Sequence, residues 1–462
     1  MLKADYDLVV LGSGPGGYVA AIRAAQLGMR TAIIEQDNFG GICLNWGCIP
    51  SKSLLRNAEV LNLVRHSSNF GISFDNLSYD YGAAIDRSRK IVNKLTKGVS
   101  FLLQKNNVEK ITGTGILRDQ NTIIVADTDR ILTSENIIIA TGARQKSLPN
   151  IPIDGETILT SREAIIDPVV PEKLVIIGGG ATGVEFAYIY SSYGSEVTII
   201  ELLEHLIPSE DEEISLLLER SLEKQGIRIL SGTEVSGIET TSDGAIVSIT
   251  TNDDHSEVKC SKVLVAIGVQ GNIEGIGLES LSVTTSKGFI VVDEKMQTSV
   301  PGVSAVGDVT GKLLLAHVAS AQGIMAVETI CGLNPPSLNY SLMPRAIYSN
   351  PQVASFGLTE SQAKKQGLSI NVGKFPLHAT GKALALGETD GLIKLITDSE
   401  IGEILGAHMI GAEVTEMIGE LTITQLLEGT TTELGSLVHP HPTISEAVKE
   451  AALNAQGLAI HI

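Results

Sequence analysis

Residues 7–35 read DLVVLGSGPGGYVAAIRAAQLGMRTAIIE, and residues 173–201 read KLVIIGGGATGVEFAYIYSSYGSEVTIIE. Each stretch is an apolar run, a Gly-x-Gly-x-x-Gly turn, a helical pattern closed by glycine, and a second apolar run ending in glutamate. The landmarks stay in register: Gly12, Gly14, Gly17, Gly28 and Glu35 return as Gly178, Gly180, Gly183, Gly194 and Glu201. A lone glycine motif is weak. A strand before it, a helix after it and an acid about 20 residues on make a dinucleotide-binding unit. The first glycine allows a tight turn, the second lets backbone approach a pyrophosphate, and the third lets helix pack on strand. The pyrophosphate then meets the unpaired N–H groups and the positive dipole end of the helix. Ordinary βαβ units with packing glycines share parts of this pattern, but both copies here carry every element. The chain is therefore expected to hold two dinucleotides. Glu201 would repel a 2′-phosphate, and Leu202, Leu203, Glu204 and His205 supply no Arg or Lys clamp, which favours NAD over NADP at the second site. By the same logic Glu35 takes an unphosphorylated ribose, as FAD or NAD presents it.

A length of 462 residues implies about three domains. Hydrophobic residues at 43% and charged ones at 19% allow a large core and argue against global disorder. Lys and Arg total 34 against 53 acids, a net charge of -19, which argues against a nucleic-acid or anionic-membrane binder. No apolar run approaches the ~18 residues of a membrane span. The start of the chain shows neither a secretory apolar region nor an Arg/Ser-rich transit pattern, so a cytoplasmic protein is expected. Four cysteines make no disulfide framework, and a cysteine pair here is read as chemistry before staple.

Such a pair follows Glu35 in GGICLNWGCIPSK, residues 40–52. On a regular helix Cys43 and Cys48 would lie ~8.6 Å apart at Cα, whereas a disulfide needs roughly 4.4–6.8 Å. Bonding would require a distorted backbone, which Gly47 and Pro50 could provide. A metal site is a poor alternative, because no second Cys/His cluster has matching spacing and Cys260 and Cys331 stand alone in apolar surroundings. A redox-active dithiol explains the pair better than two buried cysteines beside a turn.

This stretch resembles the active-site signature of the pyridine nucleotide–disulfide oxidoreductases, and within them the branch that oxidises dihydrolipoyl groups. The likeness runs essentially the whole chain. Residues 139–143 (IATGA) and 266–268 (AIG) resemble the family's domain-crossing turns, 304–308 (SAVGD) its second FAD motif, and 439–446 (HPHPTISE) its His/Glu motif. Departures are the GVQGN at 268–272 and the HVASAQ at 317–322, neither on the electron path.

The resemblance implies FAD and NAD as cofactors, with electrons passing from a dithiol through flavin to NAD⁺. It assigns Cys43 as the interchange thiol and Cys48 as the charge-transfer thiolate against the flavin. Lys52 is placed near the flavin, with Glu185 as its carboxylate partner, and Asp308 on the ribityl chain. Gly41, Gly115, Thr141, Gly142, Ala316, Val235 and Gly268 join the glycine motifs, Glu35, Glu201 and Lys52 in the cofactor-binding set. A dithiol substrate also needs a base, because a free thiol with a pKa near ~8.5 is mostly protonated at neutral pH. Of nine histidines, His66, His205, His255, His378 and His461 sit in polar contexts, His408 in an apolar strand pattern, and His317 is implied near the flavin. Residue chemistry alone divides the base between His439 and His441. The family arrangement selects His441, with Glu446 to hold the imidazole.

The fold expected is α/β: two Rossmann-like dinucleotide-binding domains, for FAD and NAD, plus a C-terminal α+β dimerisation domain. The boundaries are 1–145 for FAD, with a helical segment at 57–103, then 146–270 for NAD, 271–340 returning to the FAD domain, and 341–462 for the interface. Pro149, Pro152, Pro168 and Pro171 mark a linker. Period-two stretches at 122–126, 245–251 and 392–397 suggest antiparallel strands. Ile418, Leu421, Ile423, Leu426 and Leu427 fit an interface helix and a core helix equally well. The implied partners are a second copy of the chain, whose cysteines the tail would serve, and lipoyl-bearing acyltransferase subunits of 2-oxo-acid dehydrogenase complexes or the glycine-cleavage lipoyl carrier. The alternative is a related NAD(P)H-dependent reductase of another disulfide. Glu201 opposes the NADP-linked members of the family. The absence of a C-terminal cysteine pair opposes mercuric-type and large thioredoxin reductases.

Overall fold

The computed structural model describes residues 4–126, 128–148 and 151–462; Pro149 of the expected linker lies outside them. The chain packs as two compact units. One is built from residues up to Ser53 with Gly82–Lys146 and Gly268–Leu338; the other comprises Leu54–Tyr81, Ser147–Ile267 and Asn339–Ile462.

In the first unit a parallel sheet runs in the order Glu109–Thr112, Thr31–Glu35, Tyr6–Leu11, Arg130–Ile139, Val303–Ala305. The central strands are almost wholly apolar because both faces are covered, as parallel sheets require: Leu8, Val9, Val10, Ile33 and Ile137 are all fully buried. An antiparallel meander, Gly115–Asp119 and Thr122–Val125, leads into the first half of Arg130–Ile139. Helix Pro15–Gln26 packs against helix Ala316–Ile330.

The second unit repeats this plan. Its parallel sheet runs Arg228–Leu230, Glu196–Ile200, Lys173–Ile177, Lys262–Val265, Ile158–Leu159. A meander, Thr233–Thr241, Gly244–Thr251 and Asp254–Cys260, precedes its fourth strand. The repeat thus extends well beyond the two motifs. What differs is chain order: the fifth strand comes last in the first sheet and first in the second. Residues 54–81 also pack in this unit, where Asn62 donates to Tyr188 at 3.2 Å and Ser192 at 2.9 Å.

The remainder forms an antiparallel sheet in the order Arg345–Ile347, Gln352–Gly357, Ile404–Gly411, Leu392–Asp398, Ile370–Pro376. Helices Val414–Leu426, Thr431–Ser436 and Glu446–Ala455 cover it. Ile418 and Leu421 are buried, while Ile423, Leu426 and Leu427 are exposed, so helix Val414–Leu426 carries a core face and an uncovered apolar face. Among the described residues no helix is long and apolar enough to cross a membrane.

The strand Leu392–Asp398 is covered on both faces, since every residue up to Thr397 is buried, Lys394 included. Its ammonium donates to Asp211 at 2.7 Å, Glu213 at 3.0 Å and Glu360 at 2.7 Å. Asp211 is itself the N-cap of helix Glu212–Lys224. Lys364 and Lys394 hold the Glu360 carboxyl down at about 2. Burial alone would raise Asp211 and Glu213, but Lys394 brings Asp211, and Lys374 with Lys394 brings Glu213, below the usual range. Depressed carboxyls stabilise the fold above their unfolded values and lose that contribution as pH falls through the folded ones. Stability therefore declines on acidification from about 4.5 toward about 2. Lys394→Met leaves the buried Asp211 without its cation, while Glu213 keeps Lys374 and Glu360 keeps Lys364, and is expected to cost about 3–5 kcal/mol. It should also flatten that acid limb. Urea unfolding at a series of pH values checks both, and an unchanged midpoint would count against the network.

Candidate active site

The two glycine turns make matching cradles. A Cβ on Gly12 would lie 2.3 Å from the Ala140 carbonyl oxygen, and one on Gly178 2.4 Å from that of Ala266. A Cβ on Gly17 or Gly183 would meet the first glycine's oxygen at 2.0 or 1.9 Å, so these residues permit close helix–strand packing. At Gly14 and Gly180 a Cβ would meet nothing within 4 Å. That open space above a helix N-terminus fits a pyrophosphate.

Each cradle holds its acid ready. Glu201 accepts from the Gly179 N–H at 2.6 Å and the Leu203 N–H at 2.8 Å. Glu35 accepts from the Ser13 N–H at 2.9 Å and the Asp37 N–H at 2.9 Å, and also from the Ser13 hydroxyl at 2.7 Å. Ser13 was unassigned in the sequence, although a hydroxyl inside a glycine turn was a visible signal. Thr141 donates to the Asn272 carbonyl at 2.8 Å, and Gly142 accepts from the Asn272 N–H at 3.0 Å. Burial pushes the Asp308 carboxyl up. The preceding Gly307 N–H is held by buried Gln322 at 2.7 Å, a contact the sequence did not announce. Ala316 opens helix Ala316–Ile330. Gly115 begins its strand, where a Cβ would meet the side chains of Leu11 and Ile34. Val235 sits at a bulge of the second unit's meander. Gly268 stands at φ +96°, next to strand Val269–Gly271.

The cysteines lie on two helices, not one. Helix Gly41–Asn45 ends at Trp46, whose φ of -135° leaves helical space, and Cys48 opens helix Cys48–Arg65. Arg89 donates to the Asn45 carbonyl at 2.8 Å and stacks over the Trp46 ring. The Asn45 amide ties back to the Gly41 carbonyl at 3.0 Å. The break brings the two thiols into a hydrogen bond. Both cysteines are in the thiol form rather than joined as a disulfide. The hydrogen bond to Cys48, together with burial, pushes the Cys43 thiol up, while the Lys52 charge acts against this. Cys43 therefore keeps its proton, and Cys48 stands at a helix N-terminus, a setting whose dipole favours a thiolate. Tyr18 also neighbours Cys43; burial first, then that thiol, raises its phenol. Cys260 is buried as expected, but Cys331 is exposed, its sulfur against that of Met29 rather than in an apolar core.

Glu185 is buried in helix Ala181–Ser192 and accepts from the Tyr348 N–H at 3.0 Å. In the tail, His441 Nδ1 and Glu446 stand 2.9 Å apart, and the Thr443 N–H donates to the other carboxylate oxygen at 2.8 Å. With Nδ1–H donated, Nε2 is left as the basic nitrogen. The side chain is 78% exposed. Burial works against ionisation of Glu446, but Thr443, His441 and His439 hold its carboxyl below the usual range. His408 is buried, with Nε2 on the Leu358 carbonyl at 2.9 Å, a structural role.

Cradles for two nucleotides and a paired thiol define an oxidoreductase that couples a dithiol to a pyridine nucleotide. Residues 6–323 match the family described as pyridine nucleotide-disulphide oxidoreductase, and 343–452 match that family's dimerisation domain. The chain belongs to this family, works with FAD and NAD, and is a homodimer by the domain it carries. It is 44% identical to the dihydrolipoyl dehydrogenase of Bacillus subtilis over 100% of both chains. It is 46% identical to that of Mycobacterium leprae, over 96% of this chain and 97% of the relative. Among solved structures, LpdA from Mycobacterium tuberculosis aligns with a TM-score of 0.89 and 26% identity, over 96% and 98% of the two chains. The Cu(II) complex of the flavoprotein disulfide reductase RclA from Escherichia coli aligns at 0.87 and 27%, over 97% and 99%.

The glycines separate by experiment. Gly180→Ala should leave the melting temperature unchanged and weaken NADH binding, since its methyl enters only the ligand's space. Gly183→Ala should cost about 1–3 kcal/mol of stability, because its methyl overlaps backbone. Thermal melts and NADH titration test the pair; equal destabilisation by both would contradict the assignment.

Proposed function

We propose that the chain oxidises a protein-bound dihydrolipoyl group to its disulfide with NAD⁺, releasing NADH and a proton. The observation that carries this reading is the hydrogen-bonded Cys43–Cys48 pair across a helix break, in a chain that aligns end to end with a dihydrolipoyl dehydrogenase. FAD, when bound, supplies the two-electron carrier between the cysteine pair and NAD⁺. Gly12, Gly14, Gly17, Glu35 and Asp308 hold it, helped by Gly41, Gly115, Thr141, Gly142 and Ala316. Gly178, Gly180, Gly183 and Glu201, with Val235 and Gly268, hold NAD. Lys52 places positive charge beside the flavin, and Glu185 is its partner.

His441 Nε2 takes the proton of one substrate thiol while Nδ1–H stays on Glu446, whose carboxylate stabilises the imidazolium. The substrate thiolate attacks Cys43 Sγ of the oxidised pair, the Sγ–Sγ bond breaks, and Cys48 leaves as a thiolate. The second substrate thiol releases its proton to solvent, the proton of the overall reaction, and displaces Cys43, which takes the proton held by His441. The substrate disulfide closes, and its electron pair now resides in the cysteine pair. Each tail serves the dithiol of the other subunit. The protein partners are lipoyl-bearing acyltransferase subunits or a glycine-cleavage lipoyl carrier. The compartment is the cytoplasm, in keeping with four cysteines and no disulfide framework. A second reading, reduction of a different disulfide, draws on the likeness to RclA. Steady-state turnover with dihydrolipoamide and NAD⁺ decides between them, and turnover no better than free flavin would sink the first.

Cys48→Ser is expected to abolish the long-wavelength thiolate–flavin absorbance of the two-electron-reduced enzyme; a band that persists would reverse the two cysteines. His441→Ala is expected to cut dihydrolipoamide oxidation by roughly 10²–10⁴-fold. It should spare hydride exchange between NADH and nicotinamide analogues, and equal losses would remove His441 from this role.

A further inference from the structure

His439 and His441 stand one residue apart and end in opposite settings. The His439 side chain is 5% exposed, against 78% for His441. His439 Nε2 lies 2.8 Å from Glu420 Oε1, on helix Val414–Leu426. Its Nδ1 is buried with no hydrogen-bond partner among the described residues. The contact that holds the ring is therefore the one from Nε2 to the Glu420 carboxylate. His441 is held by its other nitrogen, with Nδ1–H on Glu446 and Nε2 open. The turn between them is fastened by the Thr443 hydroxyl on the Pro440 carbonyl at 2.9 Å. The segment carrying His441 is thus tied at one end to helix Glu446–Ala455, through Glu446, and at the other to helix Val414–Leu426, through His439. Leu437 and Val438, just before it, are exposed in the single chain, so within that chain the polar ties are what hold the segment.

We propose that the His439–Glu420 hydrogen bond is the positioning element of the tail, fixing where His441 presents Nε2 to the dithiol. The inference rests on His441 being the thiol base. His439 itself exchanges no proton with substrate; it is a positioning residue, its ring buried against helix Val414–Leu426.

The test compares His439→Phe, which fills the space and cannot donate, with His439→Gln, whose amide can still donate to Glu420. FAD-loaded dimers of both are assayed for dihydrolipoamide oxidation by NAD⁺ and for NADH-dependent ferricyanide reduction, which needs no thiol base. Displacement of a base by a fraction of an ångström to 1 Å is expected to lower kcat for dihydrolipoamide about 10–100-fold in His439→Phe. Ferricyanide reduction and dimer size should be unchanged, and His439→Gln should recover most of the loss. Wild-type turnover in His439→Phe, equal loss in both assays, or no recovery in His439→Gln would each overturn the proposal. His441→Gln run alongside keeps the two ideas apart: if it retains full dihydrolipoamide turnover, the base assignment itself fails.

Discussion

Two sulfurs five residues apart cannot meet on one continuous helix, and the chemistry proposed for this chain requires that they meet. The structure resolves the conflict by ending one helix at Asn45 and opening another at Cys48. Much of the surrounding unit serves that break. Gly41 lies so close to the first glycine turn that a Cβ would stand 2.5 Å from the Gly14 Cα. Ser13 of that turn accepts from the Gly40 N–H and donates to Glu35. Arg89, from helix Tyr81–Lys105, caps the free Asn45 carbonyl. Dinucleotide cradle and thiol pair are therefore one connected piece of backbone.

The break also sets the charge. A thiol that donates to its neighbour is hard to ionise, and a thiolate at the start of a long helix is easy to keep. The two cysteines are thereby made unequal before any ligand arrives, which is what a relay with one exchanging and one charge-bearing sulfur needs. The internal repeat shows the same economy. Both sheets present a carboxylate at the end of the second strand, preset by the N–H group after the first glycine. Only the first copy adds a hydroxyl, because Ser13 stands where the second has Gly179.

Much of this was legible in the residues. The glycine turns, their acids, the cysteine pair and the tail's His/Glu motif lie within short stretches whose spacing carries the chemistry. Three antiparallel strands were visible as period-two patterns, although only Gly244–Thr251 also alternates in its burial, with one face covered and one half-open. What stayed hidden depends on contacts distant in sequence. The short edge strands Ile158–Leu159 and Val303–Ala305 are too brief for periodicity to show. The burial of Lys394 is one such feature, made tolerable only by the arrival of Asp211, Glu213 and Glu360. Residue chemistry alone left His439 level with His441, because the Glu420 contact that sets it apart comes from another helix. Cys331 follows the apolar helix Ala316–Ile330, yet its sulfur faces outward once the helix ends.

The central claim is that electrons pass from a dithiol into the Cys43–Cys48 pair and only then toward NAD⁺. Anaerobic titration of the FAD-loaded protein with dihydrolipoamide, followed by absorbance, tests it most directly. One equivalent should produce a long-wavelength band while the flavin stays largely oxidised, and added NAD⁺ should remove that band as NADH forms. Bleaching of the flavin with no such band, or no spectral change at all, would contradict the account.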